Sequence, residues 1–99
     1  MKKIEAIIQP FKFEDVKDAL QSIGIDGMTV TEVRSRERRA GLVPKVKIEM
    51  AVSSARCEEV VRTIAAAART GKIGDGKIFL FDLGEAIRIR NDERGDAAL

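Results

Sequence analysis

Residues Thr70–Leu80 read Thr-Gly-Lys-Ile-Gly-Asp-Gly-Lys-Ile-Phe-Leu, with three glycines, Gly71, Gly74 and Gly76, inside six positions. Lys72 and Lys77 accompany them, and the apolar run Ile78-Phe79-Leu80-Phe81 follows at once. Glycine frees the backbone for conformations that a Cβ forbids. A glycine-rich turn can then aim several N–H groups at one anion, and a nearby ammonium adds a full charge. Phosphate binding is the chemistry that this pattern suggests. The same residues also suit a helix stop followed by a turn into a strand, because glycine is common just past a helix.

Other chemistries are poorly served. The chain has no histidine and a single cysteine, Cys57. An intramolecular disulfide is ruled out, a zinc site is not expected, and Ser-His-Asp and Cys-His pairs cannot be built. Its 18 basic and 16 acidic side chains leave a net charge of +2. That balance, with no Trp or Tyr to stack on bases, gives no reason to expect nucleic acid. No apolar run approaches the length of a membrane span, and the start Met1-Lys2-Lys3-Ile4-Glu5 lacks an apolar signal core, so a cytoplasmic protein is expected. Asp82 and Glu85 read as polar residues at a strand end, since no base, metal ligand or nucleophile accompanies them. Cys57 falls on an apolar helix stripe and reads as a core thiol.

The elements that must position the loop follow from periodicity. In Lys3–Gln9, Ile4, Ala6 and Ile8 alternate with Lys3, Glu5, Ile7 and Gln9, which is a strand pattern. Beyond Pro10, the spacing of Phe13, Val16, Leu20 and Ile23, with Ala19 beside them, predicts a helix that Gly24 stops. Glu14 and Asp15 occupy its first turn, where the helix dipole favours carboxylates. A second strand is expected over Met28–Val33. The run Arg34–Arg39 then reads as a solvated hairpin tip, or else as a docking surface or extra phosphate contact. Pro44 introduces a third strand in which Val46, Ile48, Met50 and Val52 alternate with Lys45, Lys47, Glu49 and Ala51. Strands two and three, close in sequence, should form a hairpin. Ser53 or Ser54 could cap a second helix with the stripe Cys57, Val60, Val61, Ile64 and Ala68. The glycine loop feeds a fourth strand, Lys77–Leu83, apolar on both faces. A short extra strand is expected over Ala86–Arg90, and the polar tail Asn91–Leu99 is expected to be mobile.

This order predicts one α+β domain over residues 1–99. Its form is the ferredoxin-like βαββαβ arrangement: a four-stranded antiparallel sheet with two helices on one face and a short extra C-terminal strand. Strand four's second apolar face calls for a partner subunit to cover it.

The chain resembles the PII signal-transduction proteins, regulators of nitrogen assimilation. The resemblance is carried in order by Met1–Lys12 (MKKIEAIIQPFK), Gly27–Val33 (GMTVTEV), Pro44–Glu49 (PKVKIE), Thr70–Phe79 (TGKIGDGKIF) and Ile87–Arg90 (IRIR). It implies a homotrimer of ferredoxin-like subunits whose sheets face a central axis. It further implies ATP or ADP as bound effector in clefts between subunits. Gly74, Asp75, Gly76 and Lys77 would hold the phosphates. Arg88 and Arg90 would reach them from the adjacent subunit, and Gly27, Met28 and Thr29 would line the adenine and ribose side. Lys45 matches a lysine that meets the carboxylate of 2-oxoglutarate, and Arg38 is a further candidate for an anion contact.

The resemblance breaks between strands two and three. The family carries a long T-loop there, with a tyrosine that is modified in many members. Here Arg34–Val43 alone joins Val33 to Pro44, and the chain has no tyrosine to modify. Arg39 stands where the family has a glutamine that helps hold magnesium and 2-oxoglutarate, and a guanidinium cannot ligate a metal. The resemblance therefore carries adenine nucleotide over to this chain but gives little support for Mg2+ and 2-oxoglutarate. Two functions from different classes are left by these residues. One is a nucleotide sensor, not an enzyme, that acts on a target protein, either a metabolic enzyme or a membrane transporter on which it docks without being an integral membrane protein. The other is a trimeric assembly module with a vestigial nucleotide site.

Overall fold

The computed structural model describes residues 1–37 and 41–99. The chain runs β1 (Lys2–Ile8), α1 (Phe13–Ser22), β2 (Thr29–Glu37), β3 (Gly41–Val52), α2 (Cys57–Ala68) and β4 (Gly76–Asp82). One sheet holds all four strands in the order β2-β3-β1-β4, with antiparallel neighbours throughout. This is the expected ferredoxin-like arrangement.

The core follows from alternation. Ile4, Ala6 and Ile8 of β1 and Val46, Ile48, Met50 and Val52 of β3 bury one sheet face. Val16 and Leu20 of α1 and Cys57, Val60, Ile64 and Ala68 of α2 pack against it. Cys57 is thus the core thiol that its position on the stripe suggested. Gly24 ends α1 with φ +80°, and the Ile25 N–H donates back to the Leu20 carbonyl, closing the helix as glycine at this position usually does.

The opposite face carries ions and aromatics. Lys3 and Lys47 reach Glu49 and Glu5 at 3.4 and 3.3 Å. Phe79 and Phe81 lie opposite Glu5 and Lys3, and both rings remain nearly half exposed in the single chain.

Four local expectations change. First, β2 runs on through Glu37, so Arg34 and Arg36 lie on a strand paired with Pro44 and Leu42 rather than in a hairpin tip. Pro44 lies within β3, not at its start. It is tolerated because β1 stops pairing at Val46, leaving β2 as the only neighbouring strand. The readings placed on Arg38 and Arg39 fall outside the described residues. Second, neither Ser53 nor Ser54 caps α2. A 3-10 turn over Ser54–Arg56 leads into it, and the Ser54 hydroxyl instead accepts from the N-terminal amine. Third, Ala86–Arg90 forms no strand but a single bridge, Ile87 to Arg94, because no strand within the chain lies beside it to extend the ladder. Fourth, the tail is folded back. Residues Gly95–Ala98 make a 3-10 turn, and the Arg88 guanidinium donates to the carbonyls of Ala97 and Leu99.

Replacing Ile48, fully buried at the centre of the sheet, by Ala is expected to cost about 2–5 kcal/mol. Urea unfolding followed by circular dichroism measures it as a lower midpoint at unchanged slope.

Candidate functional site

The glycine loop is built by a carboxylate and by missing side chains. Asp75 accepts from the N–H groups of Thr70 and Gly71, both at 2.9 Å, and from the Thr70 hydroxyl. The Lys72 N–H donates to that same hydroxyl oxygen at 3.1 Å. Asp75 thus ties the start of the loop to its end. Donation from Thr70, before all else, holds its carboxyl below the usual carboxylate range. Gly71, Gly74 and Gly76 have φ of +86°, +98° and +110°. At Gly76 the requirement is absolute, because a Cβ there would lie 1.8 Å from the Ile7 carbonyl oxygen on β1.

Two side chains from elsewhere hold the Gly74 carbonyl. Gln9, just past β1, donates its amide at 2.9 Å, and the Lys45 ammonium donates to the same oxygen. Lys45 is 3% exposed, the one buried charged residue among those described. Its partner is Glu37 Oε1 at 2.8 Å. A cavity of about 540 Å³ lies between the β2–β3 ribbon and the loop, within the range of small-molecule sites. Arg36, Glu37, Lys45, Lys72, Asp75 and Lys77 all border it. With Asp75 engaged inside the loop and Glu37 on Lys45, Arg36, Lys72 and Lys77 leave the cavity cationic.

The other expected residues lie elsewhere. Gly27 borders a separate cavity, alongside Val52, Arg56 and Leu99. Met28 is half-buried against the core, and Thr29 opens β2 opposite Glu49. Arg88 is bound to Glu93 and to the tail, and Arg90 is exposed in a turn. Gly76 pairs with Ile8, at the level of Val46 on β3. The Gly27 cavity lies at the level of Val52, six residues further, or roughly 20 Å. Gly27 and Arg88 thus lie toward the end of the sheet opposite the glycine loop of the same chain, with Thr29 between them and the loop. Asp82, at the far end of β4, is bound by the Lys2 ammonium, which holds its carboxyl low.

Residues 1–93 match the family described as Nitrogen regulatory protein P-II. The chain belongs to the P-II family. It is 50% identical to Nitrogen regulatory protein P-II of Klebsiella oxytoca and 48% identical to that of Rhodospirillum rubrum, each over 112 aligned positions covering both proteins completely. Of those positions, at least 13 have no counterpart in this chain of 99 residues. The crystal structure of Arabidopsis thaliana PII bound to citrate superposes with a TM-score of 0.92 at 45% identity, covering 99% of this chain and 91% of that one.

Within this P-II chain, motif reading found the loop and Lys45 but not the roles of Gln9, Glu37 and Thr70. Glu37 had no such signal: only the observed pairing of β2 with β3 puts Val33, Ser35 and Glu37 on the face that carries Lys45. Replacing Gly76 by Ala is expected to cost more than about 2 kcal/mol from strain and overlap with β1, read as a lowered melting temperature. Because the folded Asp75 carboxyl is held low, its support for the loop is present above the unfolded value of about 3.9 and lost as pH falls through the lower folded value. The amide resonances of Thr70 and Gly71 should therefore titrate together below pH 3.8, and Asp75→Asn should abolish that titration.

Proposed function

We propose that this P-II protein is a regulatory protein, not an enzyme, that binds ATP or ADP at clefts between three identical subunits and passes the nucleotide state to a target protein. Residues 1–99 act as one domain in this reading. The observation that carries it is the loop Thr70–Lys77, its glycines all at positive φ, facing a cationic cavity with the buried Lys45 at its base. Gly74, Gly76 and Lys77 would hold the phosphates, while Asp75 shapes the loop from within.

The remaining expected residues support the assembly. Gly27 and, through its bond to Leu99, Arg88 lie toward the end of the sheet away from the loop, and Thr29 lies midway, level with Glu5. In a head-to-tail arrangement, one copy's Gly27–Thr29 edge and arginines would meet the next copy's glycine loop, and such interfaces close into rings. Arg88 would then exchange the tail carbonyls for phosphate, while Arg90 is already free of the tail. Phe79 and Phe81, half exposed on the face without helices, would be covered in the same assembly. The citrate on the Arabidopsis relative adds a case of a small polyanion bound by this fold. Among the described residues no cluster of His, Cys, Asp or Glu could hold a metal. No helix of the described residues is long and apolar enough to cross a membrane, and we place the protein in the cytoplasm, with a transporter or metabolic enzyme as its target.

Calorimetry should give micromolar dissociation constants for adenine nucleotides, about −8 kcal/mol. Lys77→Ala and Arg90→Ala should each weaken binding about tenfold, or ~1.4 kcal/mol. Light scattering should report three times the chain mass. A trimer that binds no adenine nucleotide would instead establish the assembly module.

A further inference from the structure

Lys45 is buried, and a carboxylate of its own chain already neutralises it. Glu37 Oε1 lies 2.8 Å from its ammonium. The same carboxylate sits over the glycine loop. A Cβ built on Gly74 would meet Glu37 Oε1 at 3.3 Å and Oε2 at 3.6 Å, so the notch left by the missing side chain is where Glu37 rests. Both residues border the cationic cavity, which Arg36, Lys72 and Lys77 also line.

We propose that Glu37 is a built-in anion: it occupies the place beside Lys45 that a ligand's terminal anionic group would take, and thereby decides which anions the cavity accepts. The proposal rests on the nucleotide reading above and deepens it. Two negative groups within a few ångströms of one buried ammonium repel one another, and the repulsion is stronger where water is excluded. A ligand whose phosphate chain extends to Lys45 must displace Glu37 or sit against it. A shorter chain held by Gly74–Lys77 alone need not. The cavity should therefore favour AMP and ADP over ATP and reject free di- and tricarboxylates. Glu37 is a specificity-determining residue here, acting through its contact with Lys45.

Calorimetric titration of AMP, ADP and ATP into the wild type, Glu37→Gln and Glu37→Ala tests this. Glu37→Gln keeps an oxygen for the Lys45 ammonium and removes the charge. It should raise ATP affinity at least about tenfold relative to AMP, whereas a structural role alone would shift all three nucleotides together. Glu37→Ala leaves Lys45 buried without its counter-ion, so its melting temperature should rise with added inorganic pyrophosphate by several degrees more than that of the wild type. An ATP-to-AMP ratio unchanged in Glu37→Gln, with all three nucleotides bound, would overturn the role of Glu37 and leave the nucleotide site standing. Absence of binding by every nucleotide to every variant would overturn the site itself, and the proposal with it.

Discussion

A carbonyl oxygen on the central strand β1 leaves no room for a side chain at residue 76. That close approach brings the start of β4 against Ile7 and Ile8 and lets the preceding loop fold back over the end of the sheet. The loop side of the cavity depends on it. The Gly74 carbonyl comes within reach of Gln9 and Lys45 because the loop is pressed to this edge. Asp75, one residue before the contact, is then placed to gather Thr70 and Gly71. Backbone sterics at Gly76 and side-chain hydrogen bonds from Gln9, Lys45 and Asp75 thus hold the loop together.

The two sheet faces divide the work. One is filled by α1 and α2 and supplies the stability of the chain. The other mixes Lys3, Glu5, Lys47 and Glu49 with Phe79 and Phe81. Ion pairs of this partly exposed kind contribute little to the stability of a single subunit. They do set a pattern of charge and apolar surface that a second copy would have to match. A small core and an uncovered aromatic pair are consistent with a subunit that gains stability by association.

How much of this could be read without coordinates differs by element. The buried alternation of β1 and β3 and the stripes of α1 and α2 were legible because one face of each is wholly apolar. The glycine loop was legible as a turn because Gly71, Gly74 and Gly76 all adopt positive φ. The extension of β2 through Glu37 was not, since a run rich in arginine carries no burial signal and gives way only to the pairing offered by Gly41–Pro44. The ordered tail was hidden for a similar reason. Its anchors are the carbonyls of Ala97 and Leu99, and main-chain oxygens have no signature in composition.

Local pattern alone, then, determined the four sheet strands and two helices, the antiparallel fold class and the presence of a glycine turn before β4, because hydrophobic period and glycine placement act within a few residues. Tertiary structure alone decided that Lys45 would be buried, that Glu37 rather than solvent would neutralise it, and that Gly27 and Arg88 would lie far from the glycine loop of their own chain. Those outcomes depend on strand order and on where β2 ends. Side chains separated widely along the chain meet, or fail to meet, only after the whole sheet has closed.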